Sequence, residues 1–195
     1  MHQNKSRDRD LHGREVHPKD NPKLISKLIY SMYNLKLNIK DVLYWMDAIQ
    51  SSNDKNKTLE SLCEGQIASK VWLIEQLNEI IIKVNLNNMK KKTKKIPDNL
   101  NVLVCGGWYG VMATLLFNSN IKVNNVRSID IDPGCKPIAL TMNKHYKING
   151  KFTAGTCNIL DFKNYNDYDM IINTVCEHIA WDDYINGWIK FLKID

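Results

Sequence analysis

Apolar residues recur at helical spacing through roughly residues 21–84, and beyond Pro97 they contract into short runs separated by turn-forming residues. In the first stretch Leu24, Ile25, Leu28, Ile29 and Met32 follow Pro22, a residue suited to a first helical turn. A second helical segment opens near Asn38 and carries Val42, Leu43, Trp45, Met46 and Ile49. Small and polar residues over 51–56 predict a loop. A third segment over about 58–84 sets Leu62, Ile67, Val71, Leu73, Ile74, Leu77, Ile80 and Ile81 mostly along one side, which predicts one long helix.

The second half alternates. Short apolar runs at 101–105, 126–130, 152–157 and 170–173 read as strands, and the stretches 109–117, 133–146 and 181–192 between and after them read as helices. That order predicts an α/β fold with a parallel sheet and flanking helices, whose ligands bind at the carboxyl ends of the strands. The organisation is therefore a flexible tail at 1–20, a helical N-terminal extension or cap at 21–96, and a cofactor-binding core at 97–195.

Charge changes this picture little. Residues 1–20 mix basic and acidic side chains with His2, His12 and His17 and have little to bury. Across 195 residues, 27 Lys plus Arg against 21 Asp plus Glu give +6, yet Lys90, Lys91, Lys92, Lys94 and Lys95 supply much of it from one run, read here as a solvated linker. That makes the basic balance a weak argument for a nucleic-acid partner. No apolar stretch reaches the roughly 18 residues of a bilayer span, so no membrane association is expected. The start of the chain is too polar for a secretory signal, and five scattered cysteines without a CxxC pair favour free thiols in a reducing, cytoplasmic setting.

Candidate chemistry gathers at the predicted strand ends. The first strand runs into Cys105-Gly106-Gly107-Trp108-Tyr109-Gly110, where glycines permit a tight turn and close approach of a ligand to the backbone. The spacing is neither GxGxxG nor a P-loop. The second strand ends at Asp130-Ile131, about twenty residues beyond Gly110, near the distance at which a carboxylate reaches ribose hydroxyls. Asp132 reads as a cap for the helix begun by Pro133. Asn158-Ile159 follows the third strand, with an amide able to meet a base edge, and Asn173 closes the fourth, followed by Cys176-Glu177-His178.

In this arrangement the chain resembles the Rossmann-like class I S-adenosylmethionine-dependent methyltransferases over about residues 100–193. The resemblance implies that the 102–110 segment holds the methionine part of S-adenosyl-L-methionine, that Asp130 binds the ribose, and that Asn158 contacts the adenine through its acceptor oxygen. It implies cofactor contacts from Ile131, Ile159, Asn173 and Glu177 as well. Val175-Cys176-Glu177-His178-Ile179 looks like the Val-Leu-Glu-His-Val pattern of members acting on small molecules, and residues 65–73 suit a cap over the cofactor. The family core has seven strands where four are legible here, so a truncated relative with an exposed sheet edge, open to self-association, is expected.

The chemistry implied is methyl transfer to an acceptor the sequence does not name, small molecule or nucleic acid. His178 is the candidate base, because imidazole titrates near neutrality. A noncatalytic cofactor-binding or protein-interaction relative is the alternative. A nicotinamide-dependent dehydrogenase ranks below both, since the glycine spacing disagrees.

Overall fold

A computed structural model describes residues 37–93, 95–175 and 179–183. The expected tail, the segment around 24–32, Cys176, Glu177, His178 and the final helix past Asp183 lie outside the described residues.

Four parallel strands are described: β1 (Leu100–Cys105), β2 (Val123–Asp130), β3 (Phe152–Thr156) and β4 (Met170–Asn173), in the order β3-β2-β1-β4. The central strand β1 is apolar on both sides, as a doubly covered parallel strand must be. Its residues divide with period two: Leu100, Val102 and Val104 join one buried cluster, Leu103 and Cys105 another. The first cluster contains the buried residues of every helix that buries any apolar side chain. The second is closed by Ile159, Phe162 and Tyr165 from two short 3-10 turns. The expected parallel sheet with flanking helices is thus present, and among the described residues the helices pack on one face of it.

The helices are α1 (Ile39–Ser51), α2 (Lys55–Glu60), α3 (Glu64–Lys91), α4 (Val111–Phe117), α5 (Cys135–Met142) and α6 (Lys144–Ile148), with a last helical turn at Trp181–Asp183. Asn38 caps α1, its side chain accepting from Lys40 N–H. The loop expected over 51–56 is shorter, because Asp54 caps a new helix by accepting from Lys57 N–H. The single helix expected over 58–84 is two. Ser61 Oγ donates to the Thr58 carbonyl at 2.7 Å, and Thr58 Oγ1 donates back to Ser52 Oγ and the Asp54 carbonyl, so side chains compete for the backbone bonds that would have joined α2 to α3.

The lysine run is not a linker from its start. Helix α3 continues through Lys90 and Lys91, cations that suit the negative end of a helix dipole, and stops at Lys92 in the left-handed region (φ 56°). On its outer side Ile80 is exposed, whereas Ile81 packs against the core. The helix expected over 133–146 also divides, at Asn143. This residue is wholly buried and turns its amide back on the Ala139 carbonyl.

Helix α1 docks on the sheet domain through Trp45, which is fully buried and donates its indole N–H to Thr114 Oγ1. Beside it Asp41, also fully buried, accepts from Asn118 Nδ2 at 2.8 Å and Tyr146 Oη at 3.0 Å. The described part of the N-terminal extension therefore shares one core with the sheet.

Candidate functional site

Register brings the strand ends level. Cys105 pairs with Ile129 on one side and Asn173 on the other, and Asp130 pairs with Thr156. The turns that follow therefore meet at one end of the sheet, and the chain reverses its direction of progress between β1 and its neighbour β4. A crevice is expected at that switch point. A cavity of about 710 Å³ opens there.

The floor of the cavity is the turn after β1. Gly106 (φ 66°), Trp108 (φ 47°) and Gly110 (φ 78°) are all left-handed, which explains two of the three glycines. Gly107 is required by space: a Cβ there would overlap Ser128 Oγ on β2. The turn is pinned from three sides. Thr174 Oγ1, just past β4, donates to the Cys105 and Gly106 carbonyls at 3.1 and 2.8 Å. Asp130 Oδ2 accepts from Trp108 N–H at 2.8 Å. From below, Trp45 donates to Thr114, Thr114 to Asn143 Oδ1 at 2.9 Å, and Asn143 Nδ2 to the Gly110 carbonyl at 3.0 Å, a buried relay from α1 to the turn.

Asp130 is held as well as holding. Its Oδ1 accepts from Asp132 N–H at 3.0 Å, so each oxygen is oriented by one backbone N–H and keeps capacity for a second donor. Because α5 begins only at Cys135, with Gly134 at its cap and no side-chain cap bond, Asp132 does not cap a helix begun by Pro133 as expected; its Oδ1 instead accepts from Gly134 N–H in a local turn. That backbone bond is the main reason its carboxyl sits below the ordinary range, with Lys57 adding to it across a 3.5 Å ion pair. Asn158 Oδ1 accepts from Leu160 N–H at 3.0 Å and caps a 3-10 turn. The acceptor assigned to adenine is thus already engaged once, and a further donor must share it.

Of the residues singled out in the sequence, Gly106, Gly107, Trp108, Asp130, Ile131, Asn158 and Ile159 line the cavity. Cys105, Tyr109, Gly110 and Asn173 do not reach its wall. Cys105 is buried in the second cluster, Tyr109 is buried in the first and stacks on Trp108, Gly110 opens α4, and Asn173 Oδ1 accepts from Val175 N–H. Glu177 and His178 lie outside the described residues, between Val175 and Ile179, which both line the cavity. From the cap segment, Gln66 and Lys70 reach the wall. Sequence reasoning missed Lys57, Thr174 and Cys135, which also line it. Lys57 stood between the predicted loop and the predicted helix, and nothing in its local pattern pointed across to Asp132. Burial pushes the Cys105 and Cys135 thiols up to about 12, with Cys157 adding to the first and Asp130 and Asp132 to the second, which leaves both protonated and unreactive at neutral pH.

A parallel sheet in this order, with its crevice at the carboxyl ends beside the switch point, decides the architecture. The fold is Rossmann-like. No family model matches the chain, and no curated protein matches it. Solved structures do: a Podospora anserina methyltransferase, PaMTH1, bound to S-adenosylhomocysteine, is similar over 91% of this chain and 68% of its own at 12% identity, with a TM-score of 0.44. The N-methyltransferase NodS of Bradyrhizobium japonicum, in complex with S-adenosyl-L-homocysteine, is similar over 50% of this chain and 42% of its own at 15% identity, TM-score 0.31. A provisionally assigned sarcosine dimethylglycine methyltransferase of Galdieria sulphuraria is similar over 56% and 35% at 19% identity, TM-score 0.42. The matched region spans well under half the length of the last two. Within this Rossmann-like chain, no described helix is long and apolar enough to cross a membrane.

Proposed function

We propose that the cavity binds S-adenosyl-L-methionine and that the chain is a methyltransferase whose acceptor, small molecule or nucleic acid, is unassigned. One observation carries the reading: a side-chain-free turn (Gly106-Gly107), an oriented carboxylate (Asp130) and an amide (Asn158) line a single cavity in the order of their strands. A cavity of this size suits a nucleoside-sized ligand. The residues present fit the group, because Asp130 keeps acceptor capacity for two hydroxyls and the turn presents backbone rather than side chains.

The bound cofactor would supply an electrophilic methyl on a sulfonium. The chain's contribution is positioning. Gly106 and Gly107 admit the ligand close to the backbone, Asp130 fixes the ribose, and Ile131 and Ile159 offer apolar contact to the base beside Asn158. We assign proton acceptance to His178 and a polar contact to Glu177 because the residues flanking them in sequence line the cavity. The unpaired cysteines among the described residues fit a reducing compartment, and we assign the chain to the cytoplasm. We assign residues 21–96 to the cap and 97–195 to the cofactor core, and β3 and β4, the edges of the described sheet, are where self-association would occur.

The test is labelled methyl transfer from S-adenosylmethionine into a panel of small-molecule extracts and RNA, with His178→Ala alongside. The reading expects transfer by the wild type, and loss of transfer with retained cofactor binding in the variant. Cofactor binding without transfer to any fraction would favour the noncatalytic relative, and preference for NAD would contradict the assignment.

A further inference from the structure

Helix α3 places Lys70 on the cavity wall one turn beyond Gln66, across from the strand ends. Its Nζ donates to Gln66 Oε1 at 2.6 Å and to the Gln66 carbonyl at 3.1 Å, both neutral oxygens of its own helix. An ammonium has three N–H donors, so one remains after these two bonds. Among the described residues no carboxylate lies within ion-pair distance of it. The other lining lysine, Lys57, has Asp132 as its counter-ion, and Asp130 already accepts two backbone N–H bonds. Asp183 also lines the cavity, and neither it nor Asp130 or Asp132 lies within ion-pair distance of Lys70, so among the described residues this ammonium has only neutral hydrogen-bond partners. Burial lowers the Lys70 pKa, the strain expected of an ammonium partly withdrawn from water with only neutral partners. Perturbed groups in clefts mark ligand contacts more often than surface ones do.

We infer that Lys70, oriented by Gln66, is an anion subsite that receives a carboxylate or phosphate group of a molecule bound in this cavity. The inference rests on the cofactor reading for the opposite wall, and two sources of the anion follow from it: the amino-acid carboxylate of the cofactor or an acidic group on the methyl acceptor. Lysine at a half-buried helix position can be shortened in charge without loss of the fold, so Lys70→Met removes the ammonium and Lys70→Arg retains it.

The experiment compares calorimetric titrations of wild type, Lys70→Met and Lys70→Arg with S-adenosylhomocysteine and with methylthioadenosine, the same thioether nucleoside without the amino-acid group. Inorganic phosphate is then titrated into the nucleoside-saturated proteins and followed by NMR. If the cofactor supplies the anion, Lys70→Met weakens S-adenosylhomocysteine at least about tenfold, the range of one charge-assisted bond, leaves methylthioadenosine unchanged, and Lys70→Arg recovers most of the loss. If the acceptor supplies it, both nucleosides bind all three proteins alike, and phosphate gives a saturable shift in wild type and Lys70→Arg that Lys70→Met abolishes. Equal behaviour of Lys70→Met and wild type toward all three probes overturns the inference. Failure of both nucleosides to bind the folded wild type sinks the cofactor reading instead, and phosphate titrated alone still decides Lys70.

Discussion

At the scale of single residues, the floor of the cavity is governed by space before it is governed by chemistry. Gly107 faces Ser128 so closely that Gly107→Ala must displace the serine hydroxyl or the turn itself. Removing that hydroxyl leaves the new Cβ facing Ser128 Cβ at 3.2 Å, tight but bearable. Gly107→Ala is therefore expected to weaken nucleoside binding at least about fivefold, from a strain of about 1–3 kcal/mol, and Ser128→Ala in the same chain to restore much of it; additive losses would contradict this account. A second residue-scale expectation concerns Asp41. Burial raises its carboxyl above the ordinary 3.8, overcoming the bonds from Asn118 and Tyr146 and the charge of His145 that pull it down, and among the described residues its Oδ1 has no hydrogen-bond partner. The folded state thus holds this proton more tightly than the unfolded chain. The carboxyl's contribution to stability is full below pH 3.8 and is lost as pH rises through the raised value. Chemical unfolding between pH 3.5 and 7 should show Asp41→Asn gaining on the wild type as pH rises, whereas a gap that does not change with pH would refute the assignment.

The elements show which parts of the fold are written locally. β1 and β4 are apolar runs closed by Gly106 and Asn173, and pattern alone locates them to within a residue. β2 begins three residues earlier than its apolar run, because Asn101 Oδ1 accepts from the Asn124 and Asn125 amides and carries the polar lead-in along the ladder. The divided helices were illegible for the same kind of reason: Ser61 and Asn143 end helices through bonds to partners that periodicity does not reveal, in Asn143's case the Gly110 carbonyl 33 residues away. Site residues followed this rule. Asp130 and Asn158 stand at strand ends and were legible, whereas Lys57 reaches the cavity only through the packing of α2. The relay from Trp45 to Gly110 makes a graded prediction. Trp45→Phe loses one hydrogen bond and costs about 1 kcal/mol, while Trp45→Ala opens a cavity and costs about 3–5 kcal/mol. Asn143→Leu strands Thr114 and the Gly110 carbonyl at about 1–3 kcal/mol each, and it alone of the three weakens nucleoside binding beyond its effect on folding. Urea unfolding with parallel titrations reads both quantities; equal binding by Asn143→Leu and Trp45→Phe would remove the relay's role in holding the turn.

Taken as a whole molecule, the chain places its chemistry where a parallel sheet reverses direction and roofs it with the N-terminal helices. Sheet and cap share one hydrophobic cluster, so the cavity's two walls are fixed relative to each other by Trp45, Ala48, Ile67 and Ile74. In the proposed reading the cap would carry specificity and the sheet end the common chemistry. The account depends on the sheet end accepting an adenosine thioether, with Asp130 as its anchor. Calorimetric titration of the wild type and Asp130→Ala with S-adenosylhomocysteine tests this most directly, with thermal unfolding to establish that both are folded. The account predicts saturable one-to-one binding that the substitution weakens by about 1.5–3 kcal/mol, the range for hydrogen bonds to a charged group. A folded wild-type chain that takes up no S-adenosylhomocysteine, or a folded Asp130→Ala that binds it as tightly as wild type, would contradict it.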